Sequence, residues 1–145
     1  MKAIITGLLV CFALADVAAA ELNWMTDLPA AQLKAKTGNK MVLLDFTGSD
    51  WCGWCIKLKK EVFSTPEFAA YAKDNLILVE VDFPQKKKLS PAQTRANQAL
   101  AAKYEVEGYP TIIVLNAEGK KVGRLGYQPG GPKAFIAQLE RLRAK

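Results

Sequence analysis

Met41-Val42-Leu43-Leu44-Asp45-Phe46, then Thr47-Gly48-Ser49-Asp50, then Trp51-Cys52-Gly53-Trp54-Cys55 is the stretch on which the fold turns. An apolar run broken by a single acid reads as a strand buried on both faces. The polar quartet after it reads as a loop. From Cys52 onward, Ile56, Leu58, Val62 and Phe63 alternate with Lys57, Lys59, Lys60 and Glu61, which predicts an amphipathic helix. Two residues between cysteines at a helix start let both sulfurs meet within one turn. Unpaired backbone amides and the helix dipole at that end stabilise a thiolate at Cys52. Such a thiolate attacks a partner disulfide, and Cys55 then attacks Cys52 and releases the partner reduced.

Composition removes most rival chemistry. The chain contains no histidine. Ser-His and Cys-His nucleophiles, histidine proton transfer and every histidine-containing metal site within one chain are therefore excluded. Zinc wants about four ligands, which a single cysteine pair does not supply. Haem attachment needs a histidine after the second cysteine, where Ile56 stands. A copper carrier would have only methionines to add to the pair. A purely structural disulfide closing so short a loop removes little chain entropy and adds little stability. The expectation is redox chemistry with no metal and no cofactor. The 20 lysines and arginines against 14 acids give a net charge of +6. These basic residues are scattered and do not interleave with aromatics, so no nucleic-acid partner is expected.

Residues 1–20 read as a secretory signal peptide: Lys2, a short apolar run from Ala3 to Leu14, and small residues Ala18 and Ala20 before Glu21. The run is too short to span a bilayer comfortably. Cleavage after Ala20 removes Cys11 and leaves Cys52 and Cys55 as one pair in a mature domain of residues 21–145. Export places the pair where disulfides persist, with the periplasm as the expected compartment. Secretion, or anchoring by an uncleaved leader, is the alternative.

The rest of the chain alternates helix and strand signals. Thr26 or Asp27 caps a helix through Pro29 to Lys36, closed by Gly38. Thr65 caps another, with Pro66 at its first position. Leu76 to Phe83 reads as a strand, and Lys86-Lys87-Lys88 as a solvated loop. Ser90-Pro91-Ala92-Gln93 has capping-box spacing and opens a helix to about Lys103. Thr111 to Leu115 and Lys120 to Leu125 flank a turn and predict a hairpin. Pro132 begins a last helix carrying Phe135, Ile136, Leu139 and Leu142. Strands separated by helices pair in parallel and a hairpin adds an antiparallel edge. The expected fold is α/β, a mixed central sheet flanked by helices in three layers.

The motifs Val42-Leu43-Leu44-Asp45-Phe46, Trp51-Cys52-Gly53-Trp54-Cys55 and Gly108-Tyr109-Pro110-Thr111 together resemble the thioredoxin superfamily, especially its small exported members. The resemblance spans roughly residues 40–143. It implies that Cys52 attacks and Cys55 resolves, and that Pro110 is a cis-proline whose loop, with Tyr109, faces the pair and binds substrate backbone. It further implies that Trp51, Gly53 and Trp54 border the substrate, and that Asp45 is a buried acid assisting proton transfer at the resolving cysteine. A carboxyl in an apolar strand has a raised pKa and can take a proton near neutral pH.

Three departures stand out. The loop from Thr47 to Asp50 is one residue longer than in thioredoxin, which makes Asp50 a rival to Asp45. The lysine that accompanies the buried acid on the next strand is missing, with Glu80 the one charge between Leu76 and Val81. Gly53-Trp54 lacks the histidine of strongly oxidising relatives, which favours reduction or isomerisation of exported proteins' disulfides by a protein recharged from a membrane electron donor. A disulfide-donating oxidase and a non-catalytic binding module are the alternatives.

Overall fold

The computed structural model describes residues 21–144, so the leader, its cleavage site and Cys11 lie outside the described residues. In chain order the elements are β1 (Trp24–Met25), α1 (Leu28–Gly38), β2 (Met41–Thr47), α2 (Gly53–Leu58), α3 (Pro66–Asn75), β3 (Leu76–Asp82), α4 (Pro91–Lys103), β4 (Thr111–Leu115), β5 (Lys121–Leu125) and α5 (Gly131–Arg143). The sheet order is β1-β3-β2-β4-β5. Strand β3 runs parallel to β1 and β2, while β4 is antiparallel to both β2 and β5. The mixed three-layer α/β architecture is the expected one.

Strand alternation builds the layers. Val42, Leu44 and Phe46 join Val79, Val81, Ile113 and Leu115 in a core that also takes Leu28, Ala31 and Ala35 of α1. Met41 and Leu43 join Leu76, Leu78, Ile112 and Val114 in a second core with Leu58, Phe68, Phe135 and Leu139. Successive side chains of a strand point to opposite faces. With both faces of β2 covered, its sequence is nearly all apolar, and each large side chain such as Phe46 contributes about 1.5–3 kcal/mol on burial. The same alternation turns Asp45 toward the face covered by α2, α3 and α5.

Local details differ from the sequence expectations in instructive ways. The edge strand β1 was not anticipated, because two residues carry no periodicity. Asp27, rather than Thr26, caps α1 by accepting from the Ala30 amide at 3.0 Å. The helix ends on Asn39 in the left-handed region (φ 50), one residue after Gly38. Only half of the Ser90 capping box forms: Ser90 Oγ accepts from the Gln93 amide, but the Gln93 side chain donates to Thr26 O and Asn97 Oδ1 instead. Helix α5 starts at Gly131, behind Gly130 at φ 118, where a Cβ would stand 2.7 Å from that of Ala134.

The helix after Cys52 is not α-helical throughout. Residues Lys59–Phe63 form a π-helical turn, and the Ser64 amide reaches the Lys59 carbonyl five residues back at 2.8 Å. Such turns widen a helix by one residue. Here the turn ends with Phe63 among Trp24, Phe68 and Phe135, at centroid distances of 5.3, 5.1 and 5.6 Å.

Candidate active site

Cys52 and Cys55 form a disulfide across Cα atoms 5.2 Å apart. The two cysteines occupy unlike positions. Cys52 is the extended N-cap residue of α2, and Cys55 lies inside the first turn with its amide donating to Cys52 Sγ at 3.2 Å. Both are nearly buried. A negative sulfur at Cys52 would thus receive a hydrogen bond and the positive end of the helix dipole together. Gly53 opens the helix with no atom within 4 Å of where a Cβ would project, leaving that side of the pair clear.

The longer loop before the cysteines is firmly tied. Gly48 O accepts from the amides of Trp51 and Cys52 at 3.3 and 2.9 Å. The Ser49 amide and hydroxyl both donate to Asp82, at 3.0 and 2.6 Å, and Lys87 Nζ adds an ion pair at 3.0 Å. Asp50 accepts from the backbone amides of Gln85, Lys86 and Lys87 at 2.8–3.0 Å. Those bonds hold the Asp50 carboxyl below the usual carboxylate range, the Gln85 amide having the largest effect. Asp50 is therefore a loop anchor and a poor proton acceptor near neutral pH. The lysine run is a loop as expected, but its backbone is organised by this acid.

Two aromatic groups flank the pair. Trp51 donates from Nε1 to Phe83 O at 2.7 Å and meets Tyr109 edge-on at 5.9 Å; Tyr109 in turn lies 5.3 Å from Phe83. The indole lies so close to Gly48 that a Cβ there would come within 2.4 Å of it. Trp54, 58% exposed, instead rests on Tyr127 at 5.1 Å, with Lys57 Nζ 5.2 Å from both ring centres. Tyr127 is fixed by donating to Glu61 at 2.7 Å. The Tyr109–Pro110 bond is cis, in line with the resemblance. Because Thr111 is in register with Phe46, Pro110 lies at the end of β2 from which the cysteine loop departs.

Asp45 stands apart from this surface. It is 9% exposed, and its Oδ1 has no hydrogen-bond partner among the described residues. Burial above all, then the charges of Glu80 and Asp82, push its pKa up to about 7, with Lys59 opposing them. With no lysine on β3, the cation that opposes them lies on the π-helical turn. Asp82, Tyr127 and Lys59 were not identified as site residues from the sequence. None lies in a motif: Asp82 meets Ser49 across 33 residues and Tyr127 meets Glu61 across 66, while Lys59 stands on the π-helical turn.

Residues 28–143 match the family model of a thioredoxin-like domain. The disulfide bond reductase DsbH of Chlamydia pneumoniae is 41% identical over 124 residues, covering 86% of this chain and 74% of the relative. The thioredoxin-related protein DsbJ of the same organism is 30% identical over 129 residues, covering 85% of this chain but 37% of that longer protein. A solved DsbH oxidoreductase superposes with a TM-score of 0.82 at 38% identity, covering 94% of each chain. This chain belongs to the thioredoxin-like family, and it is a thiol–disulfide oxidoreductase of that family.

Proposed function

We propose that this protein reduces disulfides of exported proteins, with Cys52 as the attacking thiolate and Cys55 as the resolving thiol. The observation that carries the reading is the unlike placement of the two sulfurs: Cys52 caps the helix and accepts the Cys55 amide, while Cys55 sits within the turn. In the reduced protein, the Cys52 thiolate attacks a partner disulfide and expels one partner thiolate. Cys55 gives its proton to the Asp45 carboxylate and attacks Cys52 Sγ. The mixed disulfide breaks, the second partner thiolate leaves, and two electrons have passed to the partner. The raised proton affinity of Asp45 supports its part in this step. Trp51, Tyr109 and the cis Pro110 border the partner chain on one side, and Gly53 and Trp54 on the other.

Reduction, rather than disulfide donation, is supported by the residues between the cysteines, which put no cation beside Cys52. The likeness to a disulfide bond reductase points the same way. Residues 1–20 act as a leader that carries the domain of residues 21–145 to the periplasm, where a membrane protein supplies electrons. No helix among the described residues is long and apolar enough to cross a membrane.

Equilibration with glutathione buffers, followed by counting of free thiols, tests the direction. A potential of about −270 to −220 mV, the range from thioredoxin to glutaredoxin, is expected. A value near about −120 mV would make the protein a disulfide donor and reverse the proposal.

A further inference from the structure

Between the continuation of α2, the start of α3 and the sheet lies a cleft of about 530 Å3. Asp45 and Glu80 form its floor, Lys59, Phe63 and Ser64 one wall, and Trp24 an edge. It opens to the surface, since Lys59 and Ser64 are exposed. Asp45 and Glu80 are register partners on adjacent strands, so both carboxyls point the same way into it. Among the described residues, the orphaned Asp45 Oδ1 accepts no hydrogen bond that would stabilise its charged form. No ion pair closes among Asp45, Glu80 and Lys59 within 4.0 Å, so the two outer charges act on Asp45 through space and with opposite sign.

We propose that Lys59 and Glu80 are positioning residues for the proton step of exchange, Lys59 favouring the carboxylate that accepts the Cys55 proton and Glu80 the acid that holds it. This rests on the reading of Asp45 as proton acceptor given above. The proton leaves the Cys55 thiol for an Asp45 oxygen and later passes to solvent, so charge balances with no further reactant. The charged groups facing Asp45 are Glu80 and Asp82 from β3, Lys59 from the π-helical turn and Glu21 at the cleft mouth, while β4 presents only Ile112. The directions of their effects on Asp45 agree with this geometry: Glu80 and Asp82 raise its proton affinity and Lys59 lowers it. The helix supplies the cation that the strand does not, and the strand supplies a second acid in its place.

The test uses the oxidised protein, whose cysteines do not titrate. Unfolding free energy is measured by urea between about pH 4 and pH 9, each protein against its own Asp45→Asn counterpart, so that the difference titrates Asp45 alone. Lys59→Gln should move the midpoint up and Glu80→Gln down, each by about half a pH unit or more. Lys59→Arg should restore the wild-type midpoint. The pH profile of single-turnover reduction of a peptide disulfide should shift in the same directions. Midpoints unmoved by both Gln variants, midpoints moving the same way, or rate profiles that ignore the midpoints would each overturn the assignment. Failure of the underlying function looks different: wild-type dithiol would leave the peptide disulfide intact while the unfolding midpoints still shifted, which removes the proton step and this role with it.

Discussion

Asp45 and Glu80 stand opposite each other on the parallel pair β2 and β3, two acids in direct register on one face of the sheet. Like charges so placed destabilise a sheet. The arrangement persists because Asp45, deep in the sheet, can hold a proton where an exposed acid would not. Its pKa of about 7 lies well above that of the unfolded chain. Across the window from about pH 4 to pH 7, the folded protein keeps a proton that the unfolded chain has lost, so stability falls as pH rises.

Asp45→Asn should therefore stabilise the oxidised protein by about 2–4 kcal/mol at pH 8 and by little near pH 4. Urea unfolding at the two pH values checks this. A variant no more stable than wild type at pH 8 would show that the carboxylate is not costly where it stands. On the proposed reading, exchange should slow in the same variant, because Asp45 can no longer accept the Cys55 proton.

The two cysteines should fail differently. Cys52→Ala should abolish reduction of a protein disulfide. Cys55→Ala should accumulate a mixed disulfide through Cys52, visible as a band on a non-reducing gel that dithiothreitol removes. Turnover persisting in Cys52→Ala would sink the assignment of the attacking sulfur.

Gly48→Ala places a methyl group against the Trp51 indole and should force the ring off Phe83 O. We expect a loss of about 1–3 kcal/mol in stability and a changed tryptophan emission, with lower activity. Trp51→Phe loses the hydrogen bond and the five-membered ring but crowds nothing, so a loss of about 1 kcal/mol is expected there. Equal losses in the two variants would mean that the close approach of Gly48 is unimportant.

Asp82, 4% exposed, gathers the Ser49 amide, the Ser49 hydroxyl and Lys87. Asp82→Ala should cost about 2–4 kcal/mol and raise amide exchange through residues 47–51, whereas Asp82→Asn, which keeps an acceptor, should cost less. Hydrogen exchange confined to loop 83–89 would show that the cysteine loop does not depend on this acid.

Much of the molecule was legible because its signals are local. The buried run at Met41, the Pro66 and Ser90 helix starts and the turn after Leu115 each depend on residues adjacent in sequence. So does the cysteine spacing, whereas the link between Trp51-Cys52 and the distant Tyr109-Pro110 came from the family resemblance. Where local chemistry competed, the reading slipped. Thr26 and Asp27 are equally good caps on paper, and in the fold it is Asp27 that accepts from the Ala30 amide. Gln93 has the right spacing for a capping box, but Thr26 O and Asn97 offer its side chain better partners.

Asp50 shows the limit clearly. As a letter it is a second acid near a cysteine, a rival to the buried Asp45 that the resemblance implies. In space it is spent on three backbone amides, which lower its proton affinity, whereas burial raises that of Asp45. The cation near Asp45 could not be found by scanning β3, since it arrives from the π-helical turn. Tyr127, far along the chain, meets Trp54 only through the fold, at a centroid distance of 5.1 Å.

The residues alone determined the redox pair, the exclusion of histidine chemistry, and the alternation of helices with the four longer strands, because spacing, periodicity and composition are properties of the chain itself. Tertiary structure alone decided how the rival acid is spent, which charges surround the buried one and which aromatics hold the active-site surface. Those depend on desolvation and on through-space distance, which exist only once separate segments have been brought together.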